Sequence, residues 1–247
     1  MVRLVARLRP RVARRFVPCR GVRRQYRRTP VRKGLIPATD DLVRFAKLLR
    51  ERPARAWRHA TALLRGTWYA VYFRGARRDV RIALPFLAFG PVSIRGSGSV
   101  RIGSGCSVMT SVFRGLSIVT FSPDARVEIG ARCALGGLTI RCRRNVRLGD
   151  GVRTAATLVQ DALLCDTTAA ARTGASALEV APVVIGANAW IGLSSAVLCG
   201  TQLGDDVVVS AGAVCRGTSV GSYALVAGNP SGRPLPIAVL LRGKAAS

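Results

Sequence analysis

Residues able to do acid–base or nucleophilic chemistry are scarce in this chain of 247 residues, which holds one His, seven Cys and 12 Asp plus Glu. The densest set is Asp161-Ala-Leu-Leu-Cys165-Asp166, inside an irregular stretch of Asp, Thr, Ala, Gly and Ser from Gln160 to Pro182. A thiol at Cys165 could act as a nucleophile. It is only a few per cent ionised at neutral pH unless nearby Arg lowers its pKa. Asp161 or Asp166 could act as a base, but an ordinary Asp, with a pKa of about 4, needs burial to raise it to a useful value. The single His, His59, stands far upstream among arginines and reads as a surface residue rather than a displaced base. One His cannot furnish a three-His metal site, so metal catalysis is not expected. The odd cysteine count, with no Cys-x-x-Cys pair, suits free thiols in a reducing, cytoplasmic compartment better than a disulfide framework.

The elements that must position such residues announce themselves by a period of six. Ile185, Ile191, Val197, Leu203, Val209 and Cys215 are aliphatic or small and apolar, and four residues after each comes a small or β-branched residue: Ala189, Ser195, Thr201, Val207, Ala213 and Ser219. Helices repeat their apolar stripe at three and four, and strands alternate at two, so neither explains six. A parallel β-solenoid does: each hexad supplies one short strand and one corner, three hexads close a triangular coil, and coils bury one another. A tetrad of aliphatic, any residue, aliphatic, Gly extends the pattern upstream, ending at Gly103, Gly130, Gly149 and Gly186. These glycines are 27, 19 and 37 residues apart, which starts the solenoid near residue 90 and loops out residues 160–182, the expected place for function.

Upstream of the solenoid the composition changes. Residues 1–34 hold 13 basic residues and no acidic one, with three Pro, so residues 1–38 read as a disordered basic tail. Attachment to anionic lipid or another polyanion and a merely solvated tail are both open readings. The formal charge of +27 is discounted, because 36 of 39 basic residues are Arg, as a GC-rich genome writes into exposed positions. No secretory h-region or span of about 18 apolar residues is present. Residues 39–74 read as two helices, one capped by Thr39 and one starting at Pro53. The second carries a stripe of Trp57, Thr61, Leu64, Trp68 and Val71. The stripe either caps the first coil or dips into a membrane surface. Residues 75–236 form the solenoid domain and 237–247 a C-terminal tail.

The chain resembles the hexapeptide-repeat acyltransferases, above all the sugar O-acetyltransferases of polysaccharide and nodulation-factor type, over roughly residues 75 to 236. The resemblance is carried by Pro182-Val-Val-Ile-Gly-Ala-Asn-Ala-Trp190-Ile-Gly192, by Val209-Ser-Ala-Gly-Ala-Val214 and by Tyr223-Ala-Leu-Val-Ala-Gly-Asn-Pro230. It implies a left-handed parallel β-helix, a homotrimer with active sites between subunits, acetyl-CoA or another acyl-CoA as donor and a saccharide hydroxyl as acceptor. Carried over, Trp190 would line the cleft, Ala211 and Gly212 would offer backbone to the pantetheine arm, and Arg233 would meet coenzyme A phosphates. For Ala211 and Gly212 ordinary hexad packing is an equally open reading.

The family's loop histidine is replaced here. Aligned on Asp161, its position holds Cys165 and the preceding aromatic position holds Leu164. Cys165 could take the acyl group itself, Asp161 or Asp166 could act as the base, or the general-base step is lost, which costs about 100-fold to 10,000-fold. Two functions follow: an O-acyltransferase with an altered base, or a catalytically degenerate trimer that binds or scaffolds. The solenoid carbonic anhydrases need three His ligands, and 89 residues before the solenoid leave no room for a nucleotide-binding domain. Nucleic-acid binding would want aromatic residues among the basic ones, and the tail offers only Phe16 and Tyr26.

Overall fold

The hexads fold into three parallel sheets that meet at three corners. The structure is a computed structural model and describes residues 53–109, 115–164 and 178–237. The basic tail, the helix expected from Thr39, Cys165, Asp166 and most of the C-terminal tail lie outside the described residues. A helix, α1 (Pro53–Ala76), precedes the coils. The first coil is β1 (Val80–Ile82), β2 (Phe86–Ala88) and β3 (Val92–Gly96). The second is β4 (Ser99–Ile102), β5 (Cys106–Met109) and β6 (Leu116–Thr120), and the third β7 (Arg126–Ile129), β8 (Ala134–Gly136) and β9 (Thr139–Cys142). The fourth, β10 (Asn145–Leu148), β11 (Arg153–Ala155) and β12 (Leu158–Gln160), is followed by a hairpin of β13 (Ala162–Leu164) and β14 (Leu178–Val180). The fifth is β15 (Val183–Ile185), β16 (Trp190–Ile191) and β17 (Ala196–Val197), and the sixth β18 (Gln202–Leu203), β19 (Val208–Val209) and β20 (Val214–Cys215). β21 (Ser219–Val220), β22 (Ala224–Val226) and the antiparallel β23 (Leu235–Pro236) close the end.

Register alone builds the core. In the first sheet Ile82, Ile102, Ile129, Leu148, Ile185, Leu203 and Val220 stack directly over one another. In the third, Ile94, Ile118, Ile140, Val159, Val197 and Cys215 do the same. Nearly every member of these columns is sealed from water. Each buried aliphatic side chain contributes about 1.5–3 kcal/mol, and the contribution depends on the coil above and below being present. The corners between the first and second sheets show why the tetrad ends in Gly. Asp150 accepts the Ala131 N–H at 2.8 Å, and a Cβ on Gly130 would meet that same carboxylate oxygen at 2.5 Å. Asp205 repeats the bond to the Ala187 N–H at 2.7 Å.

Three expectations change. The solenoid starts at Val80 rather than near residue 90, inside the bounds 75–236, and β1 pairs with β4 through Val80 and Val100. That coil escapes the tetrad because Ala83 stands where Gly is expected and Pro85 and Pro91 occupy its corners. At the other end Ser219 is exposed and Val220 enters the core, because the corner Arg216-Gly217-Thr218 is one residue shorter than the one before it; Thr218 takes the place of Thr201.

The third concerns α1, whose stripe is not the capping face. The face against the first coil is Ala62, Gly66, Tyr69, Ala70 and Phe73, and a Cβ at Gly66 would overlap the Phe86 carbonyl. Of the stripe, Trp57, Leu64, Trp68 and Val71 lie on the opposite side and are exposed, while Thr61 is half-buried.

Candidate active site

The looped-out segment leaves the prism where the third sheet turns into the first. Val146 pairs directly with Val183, so the 37-residue interval is one coil plus an excursion, and its described base is the antiparallel hairpin of β13 and β14. Asp161 is the foot of this arm. Its side chain is fully buried and accepts the backbone N–H groups of Arg143, Arg144 and Asn145 at 2.7, 2.6 and 2.8 Å, while its carbonyl accepts the Ala181 N–H at 3.0 Å. The Cys142 thiol donates to the same carboxylate at 3.5 Å, and burial first, then the Asp161 charge, push that thiol up to about 12. Both carboxylate oxygens are therefore committed to holding the preceding corner closed. On the other strand of the arm Glu179 pairs with Arg216, whose hydrogen bond holds the Glu179 carboxyl below its usual range. Cys199 lies buried beneath, its thiol raised by burial and then by the Glu179 charge.

Four other candidate residues gather at a different corner, between the second and third sheets. Trp190 projects outward from the second sheet, 57% exposed, between Arg153 and Val208 in register. Ala211 and Gly212 form the next corner below. Gly212 has φ of +71°, donates to the Leu193 carbonyl at 2.8 Å, and a Cβ there would meet nothing within 4 Å. The backbone at this corner faces open space, so a thin ligand could approach it closely. Arg233, exposed, follows Ser231, which donates to the Val214 carbonyl at 2.8 Å and ties the closing segment to the same edge. Leu193 belongs with them and escapes the sequence reading. It is exposed beside Gly212, and its signal was an apolar residue at a corner position the hexad rule leaves free.

Among the described residues the two groups do not meet within one chain. Asp161 follows the third-sheet strand of the fourth coil and Gly212 precedes that of the sixth, so they lie at opposite edges of that sheet and two coils apart. His59 is remote from both: it sits on α1 with its ring edge-on to Phe89 of the first coil, centroids 5.2 Å apart. Among the described residues no group of three or more His, Cys, Asp or Glu is placed to hold a metal ion. No described helix is long and apolar enough to cross a membrane.

Residues 182–216 match the family model of the hexapeptide repeat of succinyl-transferase. No curated protein sequence matches the chain. Among solved structures the chain is similar to a variant of AntD, an N-acyltransferase from Bacillus cereus in complex with dTDP and coenzyme A. Identity is 14%, with 71% of this chain and 94% of that one covered and a TM-score of 0.51. It is also similar to a galactoside acetyltransferase in complex with coenzyme A (18% identity, 71% and 80% covered, TM-score 0.40). A variant of GDP-perosamine N-acetyl transferase from Caulobacter crescentus, in complex with coenzyme A and GDP-perosamine, is a third (19%, 69% and 65%, 0.40). The fold is thus the left-handed parallel β-helix that the AntD N-acyltransferase also has, with a hexapeptide repeat matched over residues 182–216.

Proposed function

We propose that the protein is an acyl-CoA-dependent O-acyltransferase that moves an acyl group, acetyl in the simplest case, to a hydroxyl of a saccharide or glycan precursor. The carrying observation is the open corner at Gly212, flanked by Leu193, Trp190 and Arg233. Exposed backbone there suits the amide-bearing pantetheine arm, and a guanidinium suits the phosphates with paired donors. In the reaction the acceptor oxygen attacks the thioester carbonyl, its proton passes to a base, the C–S bond breaks, and coenzyme A leaves as its thiolate. With Asp161 engaged by three backbone amides, we assign the proton to no described residue and leave Cys165 as the candidate in the arm. Cys165 would act either as nucleophile, forming an acyl-thioester that the hydroxyl then attacks, or as thiolate base.

We take the working form to be a homotrimer: the foot of the arm and the open corner sit on opposite edges of one sheet, an arrangement in which a neighbouring chain's arm could complete the site. Five described cysteines are free and buried, which suits a cytoplasmic place in polysaccharide assembly. The engagement of Asp161 also favours a second reading, a trimer that binds acyl-CoA or a partner without turning it over. Calorimetry with acetyl-CoA, followed by chromatographic detection of free coenzyme A with and without a mixed glycan acceptor, separates them. Binding with acceptor-dependent release supports the transferase. Binding alone supports the second reading, and loss of binding in Gly212→Trp but not in a surface control ties the donor to this corner. No binding by the parent chain would overturn the coenzyme A assignment.

A further inference from the structure

The outward face of α1 is an apolar surface without a described partner. Trp57 and Leu64 are each 71% exposed, Val71 66%, Trp68 59% and Tyr72 51%, all on the side opposite the one that caps the first coil. Trp68 and Tyr72 stack on each other, with centroids 5.2 Å apart. Exposed Arg58, Arg65 and Arg74 flank this strip, and the sequence of α1 contains no acidic residue. At the helix's C-terminal end the strip runs into a groove of about 740 Å³ lined by Val71, Leu84, Arg74, Arg78, Arg81 and Arg101. Aromatic rings, aliphatic side chains and a rim of guanidinium groups on one face match the chemistry of a lipid headgroup boundary.

We propose that α1 docks the protein on an anionic lipid bilayer, its Trp and aliphatic strip in the headgroup and acyl boundary and the Arg groove on lipid phosphates. A second copy of the chain fits this face poorly. In a two-fold pairing of identical helices without an acidic residue, Arg would be set against Arg. An anionic bilayer instead complements the groove and the 13 basic residues within residues 1–34. The docking is independent of whether the protein turns over acyl-CoA, since α1 and the first coil lie at the opposite end of the prism from Gly212.

The test uses the full chain carrying Trp190→Phe, which leaves Trp57 and Trp68 as its reporters. It is mixed with vesicles of phosphatidylcholine containing phosphatidylglycerol, with vesicles of phosphatidylcholine alone, and with the same lipids brominated in their acyl chains. The expected result is sedimentation with the phosphatidylglycerol vesicles, a blue-shifted emission, and quenching by the brominated chains. Leu64→Glu with Val71→Glu should weaken vesicle binding about tenfold or more while leaving thermal unfolding unchanged, because both side chains are already in water. Arg78→Ser with Arg81→Ser should weaken it about tenfold without abolishing the quenching. No binding overturns the proposal. So does binding with unquenched Trp, which would mean attachment of the basic tail to any polyanion. A change of oligomeric state in the Leu64→Glu, Val71→Glu chain without vesicle binding also overturns it, assigning the face to a second copy.

Discussion

Asp161 and Cys165 stand four positions apart in sequence and are asked for different things. A carboxylate that accepts three backbone N–H groups is a structural anchor, and replacing one oxygen by an amide sets a donor against donors. Asp161→Asn should therefore lower stability by about 2–4 kcal/mol, read as a fall in thermal midpoint, while the folded fraction keeps the parent's pH–rate profile. A folded Asp161→Asn chain with a lost acid limb would instead make Asp161 the base. Cys165→Ser should cut acceptor-dependent turnover about 100-fold or more with the assembly intact, and an unchanged rate removes it from the mechanism. The buried thiols give a second prediction at this scale. Cys142 titrates near 12 in the fold against an ordinary 9.0, so the unfolded chain loses this proton first. Its contribution is complete below pH 9 and declines above it, by up to about 1.4 kcal/mol per pH unit. Cys199 and Cys215 are raised in the same direction. Denaturant midpoints measured from pH 8 to 11 should fall, and Cys142→Ala should flatten part of the slope.

At the scale of elements, the close approach of α1 to the first coil is set by Gly66, where any Cβ would strike the Phe86 carbonyl. Gly66→Ala should push the helix off and cost about 1–3 kcal/mol, seen in thermal unfolding and in increased proteolysis near Ala76. An added methyl that left both unchanged would mean the helix docks more loosely than the geometry requires. The same helix shows where sequence reasoning stops. Its stripe of Trp57, Thr61, Leu64, Trp68 and Val71 is legible, but periodicity says which residues share a face and not which face finds a partner. The capping face was the weaker signal, because beside Tyr69 and Phe73 it is made of Ala62, Gly66 and Ala70, which carry little hydrophobicity and act by letting backbones approach. The hexads from Ile185 to Cys215 were legible because each core position repeats in register and misplacing one would expose a column. The first coil was not, since Ala83, Pro85 and Pro91 replace the tetrad's marks. The candidate corner was half legible. Trp190, Ala211, Gly212 and Arg233 came from resemblance, while Leu193 became visible only when the turn placed it beside Gly212.

For the whole molecule, the separation of arm and open corner by the third sheet turns the oligomer into a mechanistic question. If each site takes its arm from one chain and its groove from the next, a chain with residues 165–177 replaced by a short Gly-Ser turn is inactive, and so is Gly212→Trp. Neither defect, however, destroys the other half of the site. Unfolding the two inactive chains together and refolding them at equal concentration would mix them at random. A site is then whole only where a Gly212→Trp chain supplies the arm and an arm-replaced chain supplies the groove, which happens for about a quarter of the interfaces in a cyclic trimer. Coenzyme A release at about a quarter of the parent rate, absent when each chain is refolded alone, is the expected result. Activity that stays at zero in the mixture, with mixed assemblies verified by mass, would place arm and groove of each site on one chain. The arm beyond Leu164 would then have to cross the face of its own third sheet to reach Gly212.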